Sequence, residues 1–347
     1  MSRQIALDTI NLKPTPRLAH TEYAFQHDPL IKLESGEAEN TELARKKFYD
    51  AWYIDFIWSI NDGPVPWNER GRTTDMGHAV YTEDSRDLNE NQSCPFEDPA
   101  QVLEFNAVKE YGLPDFNELV KFYQDSYDKQ QDFNPNQLVT GGYYKSLVSG
   151  ASHSFGWDMF LMAAADEERF AKVLESFGEL TLHHVKAWAE TSIDVFIQHD
   201  DMVWTEGPFM RPDYYRKAIF PIYKKYWDVL HKAGKKVLYC CDGTFDMFMD
   251  DIADAGADGF IFEPSNNLDN IVKKFGKTHC LVGSKVDCRT MTFNSWEEVQ
   301  KEMDQTLELA PECSGLMWAV GNHIPYNVPL EIAGKYINYL KDNWNKK

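Results

Sequence analysis

Acids, thiols and an imidazole recur just after short apolar runs in the second half of the chain. They read His199-Asp200-Asp201, Cys240-Cys241-Asp242-Gly243, Glu263-Pro264, Asp287-Cys288 and Gly321-Asn322-His323. In parallel α/β architectures the functional atoms gather where strands end, because the loops there converge. Cys240 and Asp242 are two apart at a strand end and should point to one side, with Tyr239 and Cys241 on the other. A thiol and a carboxylate on one face, with Glu263 and His323 on neighbouring strands, suit a zinc site with one open position. The expected ligands are Cys240, Cys241, Asp242 and His323. The alternative makes Cys240 and Cys241 small buried core residues and Asp242 the cap of the next helix.

Asp200, Asp201, Glu263 and Asp287 are the expected acid–base or charge-stabilising groups. Adjacent carboxylates beside an apolar wall separate in pKa, although Asp200-Asp201 also suits a turn, and Asp287 an ion pair with Lys285 or Arg289. Trp58, Tyr239, Asn322 and His323 are the expected substrate contacts, since aromatic side chains suit a flat ligand. His183-His184 fall inside a helical stretch and read as structural.

These residues need a scaffold that brings them together. From about residue 190 onward, β-branched or aromatic runs alternate with segments of helical period, the pattern of parallel βα units. The expected strands are 194–197, 236–239, 259–262, 280–283 and 315–319, each nearly continuous apolar sequence, as in strands covered on both faces. Between Asp166 and Glu190, Phe170, Val173, Leu174, Phe177 and Leu180 recur at helical steps. Pro212 should open the next helix and Pro221 should kink it. Residues 137–142 are another strand candidate, and residues 1–135 form an irregular N-terminal extension with loops over the barrel. The expected fold is a single α/β domain over 1–347, a TIM (β/α)8 barrel; a doubly wound open sheet is the alternative.

The 347 residues carry 35 Lys+Arg against 55 Asp+Glu, a formal net charge of −20. That leaves no excess positive charge for a phosphate backbone or an anionic lipid surface, so neither nucleic acid nor membrane is an expected partner. The opening residues hold no apolar run longer than Ile5-Ala6-Leu7, and the expectation is a cytoplasmic protein. The six cysteines lack paired C-x-x-C spacing and read as reduced thiols. Walker, dinucleotide-binding and G-x-S-x-G motifs are all missing, which argues against ATP, nicotinamide and serine-hydrolase chemistry.

The ordered set Asp200-Asp201-Met202 … Gly207-Pro208-Phe209-Met210-Arg211-Pro212 … Tyr215-Arg216 … Pro221 … Gly234-Lys235-Lys236-Val237 … Asp242-Gly243 … Ala255-Gly256-Ala257-Asp258-Gly259 resembles the uroporphyrinogen decarboxylase superfamily. So do Gly283 … Asp287 … Gly321-Asn322-His323-Ile324-Pro325 … Val328-Pro329, Pro14-Thr15-Pro16-Arg17 and Gly141-Gly142. The resemblance implies a TIM barrel. Decarboxylases of the superfamily grip substrate carboxylates with an arginine-rich N-terminal segment, whereas only Arg3 and Arg17 lie in the first 40 residues here. The chain looks like the methyltransferase branch, and most closely like its O-demethylase members. That implies methyl transfer from a small methoxylated aromatic compound to the cobalt of a separate corrinoid protein, with zinc as metal; a homodimer is compatible with it. The alternative is a cofactor-independent decarboxylase of a uroporphyrinogen-like or smaller aromatic acid. The resemblance departs at the metal. Cys240 stands where the family has His, Asp242 where it has Cys, and Asn322 at its last Cys, with His323 beside it.

Overall fold

The computed structural model describes residues 2–74, 93–321 and 323–345; Asn322 lies outside them. Eight parallel strands follow one another round the molecule. β1 is Ala19–His20, β2 is Phe56–Ile57, and β3 is the run Leu138–Val139 and Gly141–Tyr143, interrupted at Thr140. β4 is Val195–His199, β5 Lys236–Cys240, β6 Gly259–Ile261, β7 Cys280–Val282 and β8 Gly315–Trp318. β3 pairs with β2 through Leu138–Val139 and with β4 through Gly141–Tyr143. The order then runs β4-β5-β6-β7-β8 and returns to β1.

The remaining seam, β1 against β2, is bridged by the Asp55 N–H donating to His20 O at 2.8 Å and by the Thr21 hydroxyl donating to Phe56 O. Asp55 is buried there and accepts from the Arg17 guanidinium at 2.7 and 2.8 Å, from the His20 N–H and from the Ser2 N–H. The buried core draws on all of these strands. Ala19, Phe56, Leu138, Val195, Ile197, Leu238, Cys240, Ile261, Cys280, Val282 and Met317, at least one from each strand, pack in one cluster separate from the strand–helix layer. Alternation along each strand produces this: Val195 and Ile197 turn inward while Phe196 joins the outer layer. Ala6 and Ile10 of the helix Arg3–Ile10 complete the interior cluster at the N-terminal ends of the strands.

The helix Glu167–Ala189 buries the expected face, and Asp166 caps it by accepting the Arg169 N–H. Pro221 does more than kink its helix. Pro212–Tyr214 is followed by a π-helical turn over Tyr215–Ile219 and then by the helix Phe220–Lys232, because the proline offers no N–H and its ring displaces the preceding carbonyls. β1 and β2, at two residues each, lie within the region 1–135. Among the described residues, no helix is long and apolar enough to cross a membrane.

Candidate functional site

The interior face of β4 runs Val195, Ile197, His199, so the period of two delivers an imidazole to the C-terminal mouth. His199 is in register with Cys240 of β5, and the Cys240 thiol points into the barrel beside it. His199 Nε2 lies 3.0 Å from Asp201 Oδ1. The same Asp201 oxygen accepts the Asp242 N–H at 2.9 Å, and Oδ2 accepts the Tyr144 hydroxyl at 3.1 Å. His199, Asp201 and Asp242 each present one ligand atom within 4.8 Å of the others.

Burial alone would keep His199 neutral. Cys240 and Asp201 together override it and hold the imidazole well above its ordinary pKa. Burial likewise opposes charge on Asp201, but the imidazolium wins and lowers its pKa to about 2. The Cys240 thiol is pushed up to about 12 by burial and is uncharged at neutral pH. Tyr144 stands edge-on to His199, with ring centroids 4.7 Å apart, and Trp58 lies 5.5 Å from it on another side. Tyr23 continues the aromatic wall beyond Trp58.

Glu263, after β6, accepts the Gly243 N–H at 2.7 Å and so fixes the loop that carries Asp242. That loop requires glycine at 243: φ is +83°, and a Cβ would sit 2.7 Å from the Trp204 carbonyl. Glu263 also forms the shared wall of two recesses. The inner one includes Glu22, Tyr23, Trp58, Cys240 and Asp242. The outer one, of about 470 Å³, lies over the ends of β6, β7 and β8 and includes Asp287, Cys288, Arg289, His323 and Tyr326.

The expected site residues therefore divide. Asp201, Cys240, Asp242 and Glu263 come together at the mouth, with Trp58 beside them. Asp287 and His323 line the adjoining outer cavity; Asp287 also caps the helix Cys288–Phe293 through the Arg289 N–H. Asp200 is elsewhere. It is fully buried and accepts from the Val148 N–H, the Ser149 N–H and the Tyr223 hydroxyl, anchoring the start of the helix Val148–Ala164. Tyr239 and Cys241 belong to the strand–helix layer, because alternation turns them outward: Tyr239 packs on Tyr223 and Trp227 and donates its hydroxyl to Asp200 O. His199 and Tyr144 are central to the site and absent from the expected set. The signal for His199 was its place two residues beyond Ile197; Tyr144, just past a short strand after two glycines, carried none.

A family model for uroporphyrinogen decarboxylase (URO-D) matches residues 144–342. No curated protein matches the sequence significantly. Among solved structures, the chain is similar to a methyltransferase from Methanosarcina mazei, with 16% identity over 98% of both chains and a TM-score of 0.69. It is more distantly similar to the IOLI protein with a bound zinc atom, at 10% identity over 72% of this chain and 94% of that one, with a TM-score of 0.38. An AP endonuclease of family 2 from Brucella melitensis gives 9% identity over 62% and 83%, with a TM-score of 0.35. The family match begins at Tyr144 itself and runs through the ends of β4 to β8, over more than half of the chain, which belongs to the uroporphyrinogen decarboxylase family.

Proposed function

We propose that the protein is a methyltransferase that moves a methyl group from a methoxylated aromatic compound to the cobalt of a separate corrinoid protein. One observation carries the reading: an imidazole and two carboxylates converge within 4.8 Å at a barrel mouth that opens on a cavity of ring size. The donor set fits a divalent cation. Once the imidazole gives up its proton, as ligation requires, His199, Asp201 and Asp242 supply three protein ligands and two negative charges, and the Cys240 thiol stands beside His199 as a further donor. Zinc is the cation that the family resemblance implies. When bound, it would act as a Lewis acid toward the ether oxygen of the methyl donor.

An aryl methyl ether is inert because phenolate leaves poorly, so charge growing on the ether oxygen has to be stabilised. Burial of the mouth strengthens every such interaction. Trp58 and Tyr23 offer flat apolar surface on which the ring can lie. Tyr144 orients Asp201, and Glu263 holds the loop bearing Asp242 in place. The corrinoid protein is the second substrate and meets the methyl group from the open side of the mouth. A decarboxylase of a polyanionic tetrapyrrole is less well supported, since the two recesses show Arg289 as their one arginine among the described residues.

The test combines the purified protein, zinc, a reduced corrinoid protein and a panel of methoxyaromatics. Methylcobalamin should form, seen in its absorption spectrum, with one phenol per methyl group. His199→Ala should abolish both the transfer and stoichiometric metal. Release of carbon dioxide from an aromatic acid without cobalt, together with no methyl transfer from any donor, would overturn the reading.

A further inference from the structure

On the outer face of β3, away from the mouth, a second group of polar side chains is buried. Tyr143, the last residue of β3, turns into the strand–helix layer, where its ring stacks on that of His184 with centroids 4.8 Å apart. His184 comes from the helix Glu167–Ala189, and its Nδ1 lies 2.7 Å from the hydroxyl of Tyr123 on the helix Phe116–Phe133. Arg70 reaches in from the loop after β2, with Nε donating to the Tyr111 carbonyl and Nη2 to that of Gly112. Trp67, on the same loop, stacks on Tyr111 at 4.5 Å.

Four buried atoms of this group have no hydrogen-bond partner: Arg70 Nη1, Tyr143 Oη, His184 Nε2 and Trp67 Nε1. All four carry hydrogen. Burial holds Tyr143 protonated, and burial, followed by the Arg70 charge, keeps His184 neutral. With the Tyr123 hydroxyl donating to Nδ1, the imidazole hydrogen sits on Nε2. The Arg70 charge acts on Tyr143, Tyr123 and His184 alike, so the guanidinium stands among them. Asp62 is the carboxylate that acts on Tyr143 and Tyr123, and its Oδ1 already accepts the Tyr144 and Lys145 N–H groups at 2.8 and 3.2 Å. Lys145 Nζ lies 5.1 Å from the centre of the Trp67 ring, so two cations here face that one carboxylate. Glu110, farther along, is paired with Arg72.

A water that accepts two of these hydrogens brings two of its own, and the four atoms offer only the phenol oxygen to receive them. An anion accepts hydrogen bonds and donates none, and beside a guanidinium those bonds are charge-assisted. We propose that Arg70, Tyr143, His184 and Trp67 bind a small monovalent anion of halide size, which ties the loop after β2 to the helices Phe116–Phe133 and Glu167–Ala189. Tyr143, His184 and Trp67 are buried too deeply to admit a bulky ion. The exposed Nη2 side of Arg70 is where a small one enters.

Thermal unfolding of the full chain, in mixtures of sodium chloride or bromide with sodium gluconate at fixed ionic strength, tests it. The midpoint should climb as halide replaces gluconate, because a ligand held only by the folded chain stabilises it. In Tyr143→Phe, which gives up no hydrogen bond to protein, halide affinity should fall at least about tenfold. In gluconate alone the same variant should melt no lower than the unaltered chain, since a buried hydroxyl without an acceptor has gone. Crystals of the unaltered protein grown in bromide should show anomalous scattering beside Arg70 Nη1, Tyr143 Oη and His184 Nε2, a measurement that needs no variant to fold. Equal midpoints in halide and gluconate, an undiminished halide response in Tyr143→Phe, or ordered water without bromide at this position would each overturn the proposal.

Discussion

Tyr144 shows how much of this site is done by residues that would touch neither metal nor substrate. Its hydroxyl reaches Asp201 Oδ2, its ring stands against His199, and burial together with the two nearby aspartates keeps the phenol protonated. As a fixed donor it holds one carboxylate oxygen and leaves the other toward His199. Tyr144→Phe keeps the ring and removes only that hydrogen bond. Metal affinity should fall about tenfold, the usual cost of losing an outer partner, while the unfolding midpoint of the metal-free protein changes little. Unchanged affinity in a competition titration against a chelator would show that Asp201 needs no such support. Asp201 itself was legible in the sequence as an acid at a strand end. What separates it from Asp200 is the direction each side chain takes, and adjacent letters do not encode that.

Asp200 works on the elements. It ties the end of β4 to the start of the helix Val148–Ala164 and to Tyr223 of the helix Phe220–Lys232. Asp200→Ala leaves buried donors unsatisfied and should cost about 3 kcal/mol or more of stability, read by denaturant unfolding, with metal binding per folded molecule retained. Loss of metal at full stability would instead place Asp200 in the chemistry. The helix Glu167–Ala189 carries a second buried ionisable group. His184 is bonded to the Tyr123 hydroxyl at 2.7 Å and stacked on Tyr143, and burial, followed by the Arg70 charge, lowers its pKa to about 3. The unfolded chain therefore binds a proton near pH 6.5 that the folded chain refuses. Stability should be unaffected above that pH and should fall by up to about 1.4 kcal/mol per unit as pH drops from about 6.5 toward 3. His184→Phe should remove one proton's worth of that slope, whatever it does to the stability at pH 7; an identical slope would contradict the assignment. At this scale most of the second half was legible, because β4 to β8 are apolar runs flanked by glycine and polar residues. β1 and β2 were not, since two residues cannot display a period. Their strands are defined by pairing with distant partners and by the Arg17–Asp55 contact.

That contact matters to the molecule as a whole. Asp55 joins Arg17, the backbone of β1 and the amino end of the helix Arg3–Ile10, while Arg17 also lies over the Trp344 ring at 4.3 Å. Asp55→Ala would strand a buried guanidinium at the one seam without paired strands and should cost about 3–5 kcal/mol. A thermal melt shifted by no more than a surface substitution would show that the ring closes without it. The same corner carries a consequence for traffic. Ala6 and Ile10 stopper the floor of the barrel, so among the described residues the doorway to the chamber is the mouth at the C-terminal ends of the strands. On the proposed methyl-transfer reading, a small donor would have to be seated before a bulky acceptor protein covers that doorway, and the spent phenol would depart only after the acceptor has left. Turnover would then follow a compulsory sequence, with the guest admitted first and discharged last.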